Sequence, residues 1–338
     1  MQFGADRLSR RNLVTVSAMV AAGAIFGFAA PKAQAQSQET ITGLSQLNVA
    51  GQGTVSFLFN FSSASPSTYT SLSGLSNAVT EVTGVDAGFT LQSIDYRPTI
   101  NPISLNGTLY ALGTNGAALR LYTISTSGLN AGAVTSSLIL NAGDDPAAAG
   151  TFVNPFAAAN YDIDFNPAAN ALRIINDQGG NYRIGGANLV GGSTTSGLAF
   201  SDTPLSSTGI IGAAYTNNFG GAPSTLLYDI SGTSLFTQAP PNSGALVPVG
   251  SGLGQPIPTP GGFDISGPTG LAYYGAGGNF YNVSLTTGTV GLVGFFGNVG
   301  SVRSIAAPIA TAPEPGSLAL AGIGLIGLIG GVARRRRK

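Results

Sequence analysis

The sequence predicts an all-β fold, a β-propeller of about five four-stranded blades. Three observations carry that expectation. A short motif recurs along the chain, Gly, Ser, Thr and Asn fill the gaps between short apolar runs, and only 8% of the residues are charged. The motif reads Ser93-Ile94-Asp95-Tyr96-Arg97-Pro98 and then Asp162-Ile163-Asp164-Phe165-Asn166-Pro167. It weakens to Gly212-Ala213-Ala214-Tyr215, returns as Gly262-Phe263-Asp264-Ile265, and ends as Ser304-Ile305-Ala306-Ala307-Pro308. Aligned on Asp, the copies fall at 95, 164, 214, 264 and 306. Short apolar runs separated by turn residues at regular intervals read as strands, not helices.

The elements follow in order. Ser45–Val49, Val55–Phe61 and Tyr69–Leu72 are strand-like runs ahead of the first motif copy. After that copy come Leu109–Leu112 and Leu121–Ile124; after the second come Leu172–Ile175 and Tyr182–Ile184. The third is followed by Leu226–Ile230, Leu235–Thr237 and Ala245–Val249, and the fourth by Leu271–Tyr274, Phe280–Val283 and Thr289–Val293. One unit is then about 40–50 residues of antiparallel strands, the size of a propeller blade. The fifth copy has no room after it for three more strands, so its partners should be the three N-terminal runs. Pairing both ends of the domain in one blade closes the ring and removes exposed sheet edges. Six blades, or an irregular β-sandwich, are the alternatives. Residues 140–160, with Gly143-Asp144-Asp145-Pro146, read as an insertion in the second blade. Asn176–Asn181, Gly191-Gly192 and Gly277-Gly278 read as turns, and none opens a helix that would cradle phosphate.

Both ends of the chain are set apart by composition. Residues 1–35 contain Arg7, Arg10 and Arg11, an apolar run from Leu13 to Ala30, and Ala33-Gln34-Ala35. That order fits a signal peptide cleaved after Ala35. Ser9-Arg10-Arg11-Asn12-Leu13-Val14 resembles a twin-arginine export signal, which implies an export translocon as partner. Residues 311–338 hold Pro313-Glu314-Pro315, an apolar stretch expected to form a transmembrane helix over 316–333, and the basic cluster Arg334-Arg335-Arg336-Arg337-Lys338. A spanning helix needs about 17–25 residues, so this one is of minimal length, and its cations should stay cytoplasmic. Pro-Glu-Pro, short helix and basic cluster together resemble the PEP-CTERM sorting signal. That resemblance implies processing by an exosortase-type enzyme and a membrane-anchored precursor whose mature form is at the cell surface or extracellular.

What remains between the ends, residues 36–310, is the expected propeller domain. It carries five arginines, no lysine and twelve carboxylates, a net charge of −7. An acidic surface without a basic patch is a poor partner for nucleic acid or anionic lipid. The chain has no Cys, His or Trp, which excludes thiolate zinc sites, thiol nucleophiles and Ser-His-Asp catalysis. The recurring motif, with Leu109-Tyr110-Ala111-Leu112, Leu121-Tyr122-Thr123-Ile124, Ala214-Tyr215-Thr216-Asn217 and Pro240-Pro241-Asn242-Ser243-Gly244, resembles an uncharacterised propeller-like family of exported bacterial proteins. The resemblance implies a fold and no activity, catalytic residue or cofactor.

Asp95, Asp164 and Asp264 are the candidate ligand or metal residues, because equivalent strand positions could surround one channel. Clustered carboxylates bind Ca²⁺ or, with Tyr96 or Tyr215, act as acid and base on a glycan. The plainer reading is that each Asp accepts hydrogen bonds from a neighbouring blade or pairs with an arginine such as Arg97. Asp144-Asp145 reads as a solvated loop. No catalytic residue and no bound cofactor are expected. The leading expectation is a non-catalytic surface or matrix protein contacting polysaccharide or another surface protein. A propeller-type lyase or glycosidase and a calcium-stabilised binding module are the alternatives.

Overall fold

The computed structural model describes residues 38–98, 107–140, 160–185 and 199–311. Among them are 21 strands: β1 (Thr40–Val49), β2 (Gly53–Ser62), β3 (Ser65–Thr70), β4 (Thr80–Glu81), β5 (Thr90–Arg97), β6 (Thr108–Thr114) and β7 (Leu119–Ile124). Next come β8 (Val134–Leu140), β9 (Tyr161–Asn166), β10 (Ala171–Asn176), β11 (Asn181–Gly185), β12 (Ala199–Ser201), β13 (Ile210–Tyr215) and β14 (Leu227–Ser231). The last are β15 (Leu235–Gln238), β16 (Leu246–Val249), β17 (Gly262–Ile265), β18 (Ala272–Ala276), β19 (Asn279–Val283), β20 (Val290–Phe295) and β21 (Ser301–Ala306). They form five antiparallel sheets, the blades of a five-bladed propeller.

Four blades run straight up the chain, as β5-β6-β7-β8, β9 to β12, β13 to β16 and β17 to β20. The fifth joins the two ends of the domain in the order β21-β1-β2-β3, with the short β4 also paired to β2. Thr42 stands opposite Ala306, and Leu44 opposite Ser304. The ring is therefore closed by a strand about 260 residues distant in sequence from its partner, as the truncated fifth motif copy implied. Each motif strand (β5, β9, β13, β17 and β21) lies beside the motif strands of the two adjacent blades, so these five are innermost.

Strand alternation explains how the blades adhere. Alternate residues of a strand point into the seams on either side of its blade, and five separate apolar clusters fill the five seams. Ile94, Phe165, Tyr215, Phe263 and Ile305 belong one to each cluster. All five are at most 2% exposed. The seam that closes the ring is the most aromatic. Phe61 meets Phe280 and Phe296 edge-on, each at 5.0 Å between ring centroids, and Phe59 meets Phe296 at 5.9 Å. Such edge-to-face pairs add about 0.5–1.5 kcal/mol each beyond the area they bury. Gly43 is required there, because a Cβ would collide with the Phe59 ring.

Some expectations need adjustment. The third strand of the closing blade begins at Ser65, not Tyr69, because Ser62 and Ser65 pair across a tight turn. The strands β4, β8 and β12 have no counterpart in the sequence reading. Residues 141–159, expected as an insertion within the second blade, join β8 of one blade to β9 of the next and lie outside the described residues, as do Gly191-Gly192. So do residues 1–37 and 312–338, which contain the expected signal peptide and the expected helix over 316–333. Among the described residues no helix is long and apolar enough to cross a membrane.

Candidate functional site

An innermost strand has a neighbour in its own blade on one side only. The N–H groups on its other edge point toward the axis and the next blade, and once buried they need acceptors. The positions after the aligned Asp supply five such groups: Tyr96, Phe165, Tyr215, Ile265 and Ala307. Only three of the five preceding positions carry an acceptor, since Ala stands at 214 and 306.

The three aspartates cover all five. Asp95 accepts from Phe165 of the next blade at 2.7 Å, Asp164 from Tyr215 at 3.1 Å, and Asp264 from Ala307 at 2.6 Å. Tyr96 and Ile265 follow blades whose matching residue is Ala306 or Ala214. There the aspartate turns its second oxygen back onto its own strand, and Asp95 and Asp264 bind the N–H of Tyr96 and Ile265 at 2.6 Å each. Five carboxylate oxygens are thus matched to five amides. The sixth, Oδ2 of Asp164, is buried and has no donor.

A second layer lies two residues earlier. Ser304 accepts from the Ile94 N–H at 3.1 Å, Ser93 from Ile163 at 3.2 Å, and Asp162 from Ala213 at 3.0 Å. The other two blades have Gly212 and Gly262 at this level. A Cβ on Gly262 would stand 2.6 Å from the Ile305 nitrogen and the Ser304 Cα, so the neighbouring backbone occupies that space.

Electrostatically the axis is a concentration of negative charge. Asp95, Asp164 and Asp264 are each at most 2% exposed, and one oxygen from each lies within 4.8 Å of the others. Burial, then the charge of Asp264, holds Asp95 well above the ordinary carboxylate range against the pull of its two amides. Burial, then Asp95 and Asp264, does the same to Asp164. Asp264 is pushed up to about 7, chiefly by burial and despite the Ala307 and Ile265 amides. Asp162 rises to about 8 for the same first reason. Two ionised carboxylates have no hydrogen to share, so the free oxygen of Asp164 meets Asp264 favourably only through a proton or a cation.

The other candidate groups go elsewhere. Arg97 does not pair with Asp95; it turns to Asn170, with 3.0 and 3.1 Å contacts, and to Tyr110. The Tyr96 hydroxyl meets Thr42 at 3.0 Å, and the Tyr215 hydroxyl accepts from Arg173 at 3.4 Å. Sequence reading missed a second polar group. Arg173, 3% exposed, binds Asp202 and Asn181 at 2.7 Å and Asn242 at 2.9 Å, and Arg183 also reaches Asp202. It missed Asp229 as well, fully buried with neither oxygen bonded and pushed up to about 8 by burial, partly opposed by Arg173. Glu39 was missed too; it ties the first strand to Tyr273 and Thr269 at 2.7 and 3.0 Å. The Ser93, Asp162 and Ser304 layer had a signal, a period of two within the quoted motif. The partners of Arg173 and Glu39 come from distant segments and had none. Arg10, Arg11, Ala35, Asp144, Asp145, Pro313, Glu314, Pro315 and Arg334 to Arg337 lie outside the described residues.

Comparison with known proteins adds the following. Among solved structures, a protein from Lactobacillus plantarum is 13% identical over 78% of this chain and 68% of its own, with a TM-score of 0.35. A structural genomics protein of unknown function from Bacteroides thetaiotaomicron VPI-5482 is 8% identical over 75% and 64%, with a TM-score of 0.37. A functionally unknown protein from Desulfotomaculum acetoxidans DSM 771 is 13% identical over 76% and 70%, with a TM-score of 0.32. At these scores the likeness bears on neither fold nor function. No curated protein matches. Residues 311–338 match the PEP-CTERM protein-sorting motif, the mark of an exported, membrane-anchored precursor recognised by an exosortase-type enzyme. The family model described as a domain of unknown function, DUF4394, matches residues 58–306, and the chain belongs to that family.

Proposed function

We propose that the protein is a non-catalytic component of the cell surface or extracellular matrix, delivered as a folded propeller and released or re-anchored after its tail is processed. The sorting motif at residues 311–338 is the observation that carries this reading. Export begins at the translocon addressed by Arg10 and Arg11, with cleavage after Ala35. The absence of Cys fits a domain that folds before export and needs no oxidising compartment. The domain then presents a lysine-free surface to a polysaccharide or a surface protein.

The axial carboxylates support a structural role over glycan chemistry. Retaining and inverting glycosidases hold their carboxyls about 5–5.5 Å and about 6.5–9.5 Å apart, on either side of a sugar. Here the facing oxygens are within 4.8 Å, and five of the six oxygens already hold main-chain amides. A group committed to a buried amide is poorly placed to exchange protons with a substrate.

Intact-mass measurement of the exported protein tests the delivery claim. The expected species begins at Gln36 and ends near Pro313 to Pro315, without the apolar segment and the Arg/Lys cluster. A mature species still ending at Lys338 would contradict it and leave a simple tail anchor.

A further inference from the structure

We propose that Asp95, Asp164 and Asp264 seat one divalent cation of the calcium class on the propeller axis. Two independent observations lead there. First, one oxygen from each carboxylate lies within 4.8 Å of the other two. Points so spaced share a centre no more than about 2.8 Å from each, close to the 2.3–2.6 Å of calcium–oxygen bonds. Second, the amide pairing around the ring is complete without Oδ2 of Asp164, which is left buried and undonated. A buried carboxylate oxygen with no donor is costly unless a positive partner reaches it.

Among the described residues no cationic side chain pairs with that oxygen: Arg97 reaches Asn170 and Tyr110, and Arg303 reaches Asn160 and Gln92. Arg120 pairs with Asp86, and Arg173 and Arg183 pair with Asp202. The groups that act most on the three axial carboxylates are one another, Asp162, Glu39 and main-chain amides. An all-oxygen, all-anionic ligand set without His or Cys selects a hard cation. Calcium suits it better than magnesium, because calcium accepts irregular shells of six to eight oxygens whereas magnesium demands a near-octahedral one. Three carboxylates leave the remaining positions to water. The ion would join three innermost strands from three blades, β5, β9 and β17, and so stabilise the ring as a unit.

The test uses the full-length protein, stripped with chelator at pH 7.5 and titrated with calcium chloride, with magnesium chloride as control. We expect calorimetry to show one calcium per chain. The melting temperature should rise with calcium concentration, as binding to the folded state alone requires, and magnesium should do so at least 10-fold less effectively. Asp164→Asn keeps an oxygen for the Tyr215 amide while removing the free carboxylate charge. It should fold with an unchanged circular dichroism spectrum and lose calcium affinity at least 10-fold. Wild-type protein whose melting temperature ignores calcium would overturn the proposal and leave a shared proton as the neutralising partner. Asp164→Asn binding calcium as tightly as wild type would overturn it equally.

Discussion

The amides of Tyr96, Phe165, Tyr215, Ile265 and Ala307 explain why aspartate sits where it does. An acceptor is needed after every innermost position, and a carboxylate with two oxygens can serve the next blade and its own strand together. That economy lets Ala stand at 214 and 306. The sequence showed three aligned aspartates and two alanines, but not that one arrangement would satisfy five amides. The count requires the ring closed, because the donor to Asp264 is Ala307, at the far end of the domain. Asp229 illustrates what sequence cannot show, since it is a carboxylate in β14 that folding buries completely with neither oxygen bonded. Its folded pKa of about 8 lies above the ordinary 3.8, so the native state binds the extra proton between those values. Its contribution is therefore complete below about pH 4 and is lost as pH rises toward about 8. Urea unfolding followed from pH 4.5 to 8.5 should show stability falling by a few kcal/mol across that window. In Asp229→Asn the fall should be visibly shallower, though not absent, because Asp95, Asp162, Asp164 and Asp264 are shifted in the same direction. An identical slope in both proteins would mean that Asp229 stays ionised in the folded state.

At the scale of elements, inner strands were legible and outer ones were not, for a physical reason. The innermost strand is buried on both faces, so β5, β9, β13 and β17 are buried almost throughout, with one acid in β5 and β17, two in β9 and none in β13. The outermost strands β16 and β20 are wet on much of their surface. β16 and β20 still carry Val and Leu, but β8 reads Val-Thr-Ser-Ser-Leu-Ile-Leu and β12 has only three residues. Their place is set by pairing with β7 and β11, not by a pattern of their own. Close approach between elements was equally hidden. Gly262 looks like a weakened motif position, yet it is where β17 and β21 touch backbone to backbone. Gly262→Ala must push the two blades apart, and overpacking of this kind costs roughly 1–3 kcal/mol. Chemical denaturation should record that loss. Gly278→Ala, in a turn where a Cβ would meet nothing, is the control and should be near neutral. Equal stability of the two variants would show that the β17–β21 seam is looser than described.

At the scale of the molecule, two features define the protein: a ring that closes through its own ends, and a tail that marks it for sorting. Both were readable, the first because five motif copies were followed by only four sets of partner strands, the second because Pro313-Glu314-Pro315 stands before an apolar stretch and a basic cluster. Closure matters more to the account than blade count does, since the axial carboxylates converge only if β21 completes the circle. The terminal strand is held by β1 on one side and faces β5 and β17 on the other. It has no hairpin partner adjacent in sequence. Hydrogen exchange measured along the whole chain tests this directly, because exchange reports which amides open together. The closed ring predicts that Ser301–Ala306 exchange as slowly as the inner strands at Thr90–Arg97, Tyr161–Asn166, Ile210–Tyr215 and Gly262–Ile265, in one cooperative step with Thr40–Val49. Rapid exchange of Ser301–Ala306 while the other four inner strands remain protected would contradict it.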